Sequence, residues 1–145
     1  MSIQSILDRK GDGVVKLRYE ANVKQAADLL RDRNIAALVV TLGEALVGVV
    51  SERDIVIALS RFGEPALYMP VGAVANRTMV AIGPDSGLKA AMSAMMRYRV
   101  RHLLVMKNGK LAGLVSSRDV VTHCLENLAL PSDPLGDTCF ADIAA

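Results

Sequence analysis

Gly48-Val49-Val50-Ser51-Glu52-Arg53-Asp54 has a near copy, Gly113-Leu114-Val115-Ser116-Ser117-Arg118-Asp119, 65 residues further on. A period of this size means that the chain carries one supersecondary unit twice. Sliding the chain by the same offset lays residues 14–56 on 79–121 without a gap. Ile35–Val40 falls on Val100–Val105, Leu46 on Leu111, Lys24 on Lys89 and Ala26 on Ala91. Unrelated amphipathic segments can share an apolar pattern by chance. They would not also align Gly, Ser, Arg and Asp.

Each copy reads as strand, helix, strand, strand, helix. Val14–Leu17 is a short β-rich run, and Val23–Arg33 has apolar residues at helical spacing. Ala36–Thr41 and Leu46–Val50 are apolar runs of strand length separated by a turn. In the second copy that turn is Lys107-Asn108-Gly109-Lys110, and Asn-Gly suits the positive φ angles of a two-residue hairpin. Ser51 and Ser116 open the last helix of each copy. Ile3, Ile6 and Leu7 fit a helical turn ahead of the first copy, and Val71 and Val74 play that part ahead of the second. The connection from Ile6 to Val14 is three residues longer than that from Val74 to Met79, which predicts a loop insertion. Residues 61–70 are punctuated by Gly63, Pro65 and Pro70 and read as the linker.

Two βαββα units, each with Gly-h-h-Ser-x-x-Asp (h, apolar) at the last strand-to-helix junction, resemble the CBS domain, the family named after cystathionine β-synthase. The resemblance covers about residues 3–125. It implies an α+β fold, a CBS-domain pair of the stand-alone Bateman type, with two repeats packed about a pseudo-two-fold axis. Packing of the copies is also expected because a three-stranded sheet cannot bury both faces alone. The expected units are 1–69, the first repeat with its lead-in and linker, 70–125, the second repeat, and 126–145, a tail. Leu135, Phe140 and Ile143 are the tail's apolar points.

The chain is 52% hydrophobic but only 3% aromatic and has no Trp, so its core must be built from Val, Leu, Ile, Ala and Met. A net charge of +2 with no basic run argues for neither nucleic acid nor an anionic membrane as partner. No apolar run approaches the ~20 residues of a spanning helix, and no signal segment is visible. A soluble, cytoplasmic protein is expected. Cys124 and Cys139 have no metal-ligand spacing and read as thiols in a reducing compartment.

The junctions admit two readings. Ser51 with Asp54, and Ser116 with Asp119, suit capping boxes, in which Ser accepts from the N3 amide and Asp sits in a favourable first turn. Capping does not explain Arg53 and Arg118, cations placed in that same first turn. Exposed amides, a hydroxyl and an Arg at a helix start suit a phosphate. An Asp repels phosphate but accepts from the vicinal hydroxyls of a ribose. Together these residues suit a nucleotide. Gly48 and Gly113 mark close approach of a ligand or another backbone, or tight sheet packing. Arg99-Val100-Arg101-His102 has as its counterpart the uncharged Asn34-Ile35-Ala36-Ala37, which predicts two unequal pockets. Met92, Met95 and Met96 read as a core or helix-contact face, and His123 as a structural or surface residue.

The family resemblance implies a regulatory, non-catalytic module that binds an adenosine-containing ligand in two clefts between the copies. AMP is the foremost candidate, with ATP, ADP or NAD as others, and no catalytic cofactor or metal is expected. The resemblance places Ser51, Arg53 and Asp54 in the first cleft. Thr78, Met79 and Val80 would face the base there, and Arg101 and His102 the phosphate. Ser116, Arg118 and Asp119 fall in the second cleft, opposite Val14, Val15 and Lys16. Ala36 and Ala37 replace the basic pair in that cleft, which weakens the case for a polyphosphate there. Homodimerisation through helical faces and an unidentified regulated partner are implied. A dimerisation scaffold with degenerate clefts is the alternative. At 145 residues the chain has no room for the barrel of inosine monophosphate dehydrogenase, so that activity is not expected.

Overall fold

The computed structural model describes residues 2–11 and 13–127; the predicted tail beyond Asn127, with Cys139, lies outside them. The order is α1 (Ile3–Lys10), β1 (Lys16–Arg18), α2 (Val23–Arg33), β2 (Ala37–Leu42), β3 (Ala45–Ser51) and α3 (Glu52–Phe62). After a 3-10 turn at Glu64–Tyr68 come α4 (Val71–Val74), β4 (Ala81–Ile82), α5 (Leu88–Tyr98), β5 (His102–Lys107), β6 (Lys110–Ser116) and α6 (Ser117–Asn127). No helix among the described residues is long and apolar enough to cross a membrane.

Two three-stranded sheets result, ordered β1-β2-β3 and β4-β5-β6, each with a parallel first pair and an antiparallel hairpin. The first strand of each copy starts two residues later than the β-rich runs suggest. Val15 and Val80 nevertheless hold the register, their carbonyls accepting from the amides of Val39 (3.0 Å) and Leu104 (2.9 Å). The predicted Asn-Gly turn is present, with φ of 53° at Asn108 and 75° at Gly109.

Alternation along the central strands builds a layered core. Leu38, Val40 and Val50 face α2, α3 and α4, while Leu103, Val105 and Val115 face α1, α5 and α6. Between the sheets, Ala37, Val39 and Val49 meet Leu104, flanked by Leu46, Met106, Leu111 and Leu114. Each sheet thus hides one face under helices and the other against its twin.

The lead-in helices cross over. Ile3 and Ile6 of α1, which precedes the first copy, are buried in the core of the second. Val71 of α4, which precedes the second copy, is buried in the core of the first. Matching bridges lock both, Ser2 to Gly87 and Pro70 to Asn22. This crossover accounts for Gly48 and Gly113. A Cβ at Gly48 would lie 2.5 Å from the Asn76 carbonyl oxygen, and one at Gly113 2.4 Å from Leu7 Cδ2. Close approach by the lead-in segments is what these glycines permit.

Candidate functional site

The two junction helices start as capping boxes. The Ser51 amide and hydroxyl donate to Asp54 Oδ2 at 2.8 and 2.9 Å, and the Asp54 amide donates to Ser51 Oγ at 3.3 Å. The Ser116 amide donates to Asp119 Oδ2 at 2.8 Å, and the Asp119 amide to Ser116 Oγ at 3.1 Å. Each box fixes its Asp rotamer and leaves Oδ1 without a hydrogen-bond partner among the described residues. Both carboxylates are half-buried at the mouth of a cleft.

The first cleft, about 640 Å³, is lined by Ser51, Arg53 and Asp54 on one side and by Thr78, Met79, Val80, Arg101 and His102 on the other. A volume of this order accommodates a small organic ligand. Every residue anticipated for the first cleft is therefore on its wall. Arg99 and Arg118 line it too, so four arginines line the space. None of the four is in an ion pair among the described residues. Arg99 caps α5 in the left-handed region at φ 54°, where its counterpart Asn34 has φ 52°. Asn tolerates this conformation, whereas for Arg it costs on the order of 1 kcal/mol.

The second cleft, about 450 Å³, is lined by Val14, Val15, Ser116, Arg118 and Asp119, with Ala36 and Ala37 where the first has its basic pair. Lys16 is absent from its wall. It opens β1 with an exposed side chain, and the strand's alternation turns only Leu17 inward. The second cleft instead carries a lysine that the sequence reading did not single out. Lys10 Nζ donates to Asp119 Oδ2 and to the Leu114 carbonyl, both at 2.8 Å. Burial pushes the Asp119 carboxyl up, but the Lys10 ammonium and the Ser116 amide together outweigh it and hold the carboxyl below the usual range.

His102 belongs to both clefts. Burial pushes its imidazole below the ordinary value; Asp119 and Asp54 pull the other way, while Lys10 and Arg101 reinforce burial. Arg101 sits just before β5 and His102 begins it, so one turn of chain supplies a cation and a largely neutral ring. His123, by contrast, lies in neither cleft. It is buried on α6, with neither ring nitrogen hydrogen-bonded among the described residues.

With this geometry in view, comparison with known proteins gives a consistent result. The CBS domain model matches residues 10–61 and again 71–126, and the chain belongs to the CBS domain family as a pair of repeats, a class of regulatory module. Among solved structures, a CBS-domain protein from Agrobacterium tumefaciens, ATU1752, is 33% identical with a TM-score of 0.81, covering 86% of this chain and 99% of that one. The CBS domain protein PAE2072 from Pyrobaculum aerophilum, solved with AMP, is 28% identical with a TM-score of 0.71, covering 82% and 89%. An inosine-5'-monophosphate dehydrogenase from Korarchaeum cryptofilum is 32% identical over 108 residues, 74% of this chain. The chain spans only 21% of that enzyme's length.

Proposed function

We propose that the protein binds an adenine nucleotide, AMP foremost, in its first cleft and passes its occupancy to a partner as a change of shape. The observation that carries this reading is the pairing of Asp54, capped by Ser51 and without an ion-pair partner among the described residues, with four arginines lining the same cleft. A carboxylate held in one rotamer accepts from vicinal ribose hydroxyls. Arg101, with Arg53, Arg99 and Arg118 close by, suits the phosphate. Thr78, Met79 and Val80 offer an extended edge and an apolar surface for the base. The AMP complex of PAE2072 supports the ligand class. A ligand can shift the protein only by its difference in affinity for the two shapes.

A second copy of the chain is the proposed dimer partner. Val56 and Phe62 on α3, Met96 on α5 and Val121 and Leu125 on α6 are large apolar side chains at least half exposed. Sedimentation at micromolar concentration reads this directly, and a monomer would discard it.

The nucleotide reading is tested by thermal shift with AMP, ADP, ATP, NAD and S-adenosylmethionine on the wild type and on Asp54→Ala. A ligand at a hundredfold excess over Kd stabilises the folded state by ~2.7 kcal/mol. A shift for one ligand that disappears in Asp54→Ala is expected. No shift with any ligand would leave the dimerisation scaffold as the better account.

A further inference from the structure

We propose that Lys10 is a specificity-determining residue: its ammonium occupies the second ribose position and directs adenosine-bearing ligands to the first cleft. This inference rests on the nucleotide reading above and adds to it which cleft is used and why. The argument begins with the lengths of the two lead-in helices. Helix α4 stops after four residues, and Ala75 leaves it in an extended conformation. Asn76 then pairs with the edge of β3, its amide donating to the Val49 carbonyl at 2.8 Å and its carbonyl accepting from the Val49 amide at 3.0 Å. Helix α1 instead continues for eight residues to Lys10. Among the described residues no main-chain amide from the lead-in segment reaches the carbonyl of Leu114, the counterpart of Val49. The Lys10 ammonium supplies that missing donor and, in the same position, neutralises Asp119.

The three-residue excess in the first connection is thus spent on helix as well as on loop. The consequence is an ion pair across the cleft rather than a bare junction. Lys10, Leu114 and Asp119 all line the second cleft, so the ammonium ties its wall to its carboxylate. Arg9 pairs with Glu126 of α6, which holds the end of α1 over the same junction. A ribose entering here must displace a charged donor that has two oxygen acceptors. Among the described residues Asp54 in the first cleft has no such competitor.

The test isolates the second cleft in an Asp54→Ala background and measures adenosine and AMP binding by calorimetry, with and without Lys10→Met. Methionine keeps the aliphatic stem and removes the charge. Loss of a charge-assisted competitor is expected to tighten second-cleft binding of adenosine about tenfold or more. Adenosine is the deciding probe because it has no phosphate to find a cation elsewhere. An unchanged affinity would overturn the proposal, and so would a weaker one, which would make Lys10 a ligand-binding group. A wild type that binds AMP and loses it in Asp54→Ala keeps the nucleotide reading whatever Lys10→Met does. If no variant binds, the nucleotide reading fails, and carboxyl NMR of Asp119 without nucleotide decides the ion pair. Asp119 faces Lys10, Ser116 and His102, and its titration moves to higher pH in Lys10→Met if the pair forms. An unmoved titration would overturn it.

Discussion

The two clefts share one junction, Gly-h-h-Ser-x-x-Asp, and differ in what stands opposite it. In the first, a short helix and an extended Asn76 satisfy the sheet edge with main chain, and Asp54 has no ion-pair partner among the described residues while arginines collect at the rim. In the second, a longer helix satisfies the same edge with a side chain, and that side chain also takes Asp119. Duplication made two equivalent frames, and the connections ahead of each frame then made them unequal. The lesson is that the repeated motif defines where a ligand can sit, while the unrepeated segments decide whether the seat is vacant.

The comparison can be broken most severely at the carboxylates. Asp54→Ala should weaken AMP binding by a hundredfold or more, because each charge-assisted hydrogen bond is worth ~1.5–3 kcal/mol. Asp119→Ala should leave that tight binding intact, and equal losses by titration calorimetry would mean the clefts are equivalent. Next come the glycines. Gly48→Ala forces a Cβ onto the Asn76 backbone and should cost ~1–3 kcal/mol by urea denaturation. Gly113→Ala meets only the end of a Leu7 side chain, which can turn aside, so its cost should be the smaller of the two.

Arg101→Ala should erase a preference of about tenfold for AMP over adenosine while leaving adenosine binding alone, since a charge-assisted bond to phosphate is worth ~1.5–3 kcal/mol. Ala36→Arg, at its counterpart, should favour AMP in the second cleft, and competition binding reads both. The smallest effect is on acid stability. The Asp119 carboxyl is held low in the folded protein, so its stabilising contribution is present above its unfolded value, near 3.8. That contribution is lost as pH falls through the folded value. Lys10→Met should reduce this acid-side loss by ~0.2–1 kcal/mol, as expected for a pair with one exposed partner, visible as a flatter Tm profile below pH ~5.

Much of this is legible in the sequence. The offset of 65 residues foretells two copies of one unit, the family resemblance implies the two clefts, and the continuous apolar runs of the central strands foretell sheets covered on both faces. The first strands were placed two residues early, because Val14, Val15, Met79 and Val80 have strand chemistry but run ahead of the paired ladder. The crossover of α1 and α4 was not legible: periodicity reports that a helix has an apolar face, never which sheet receives it. Lys10 was hidden for a related reason. It lies where the two copies stop aligning, so no counterpart flagged it, and a lysine near a helix end ordinarily reads as a favourable charge at the dipole. The family resemblance sets Lys16 in the second cleft, and one residue of strand alternation turns it away.

The exchanged lead-in helices bear on the order in which the molecule assembles. Residues 13–76 contain everything that packs in the first sheet's core, including α4, so that half can close from contacts near in sequence. The second half needs Ile3 and Ile6, which meet Val115 and Val120 from more than a hundred positions away. Closing so long a loop is slow, and during ribosomal synthesis, which exposes the chain in order, α1 must wait with its apolar face uncovered until α6 has emerged. Docking of α1 is then expected late in folding, and the lysine seated over Asp119 arrives with it.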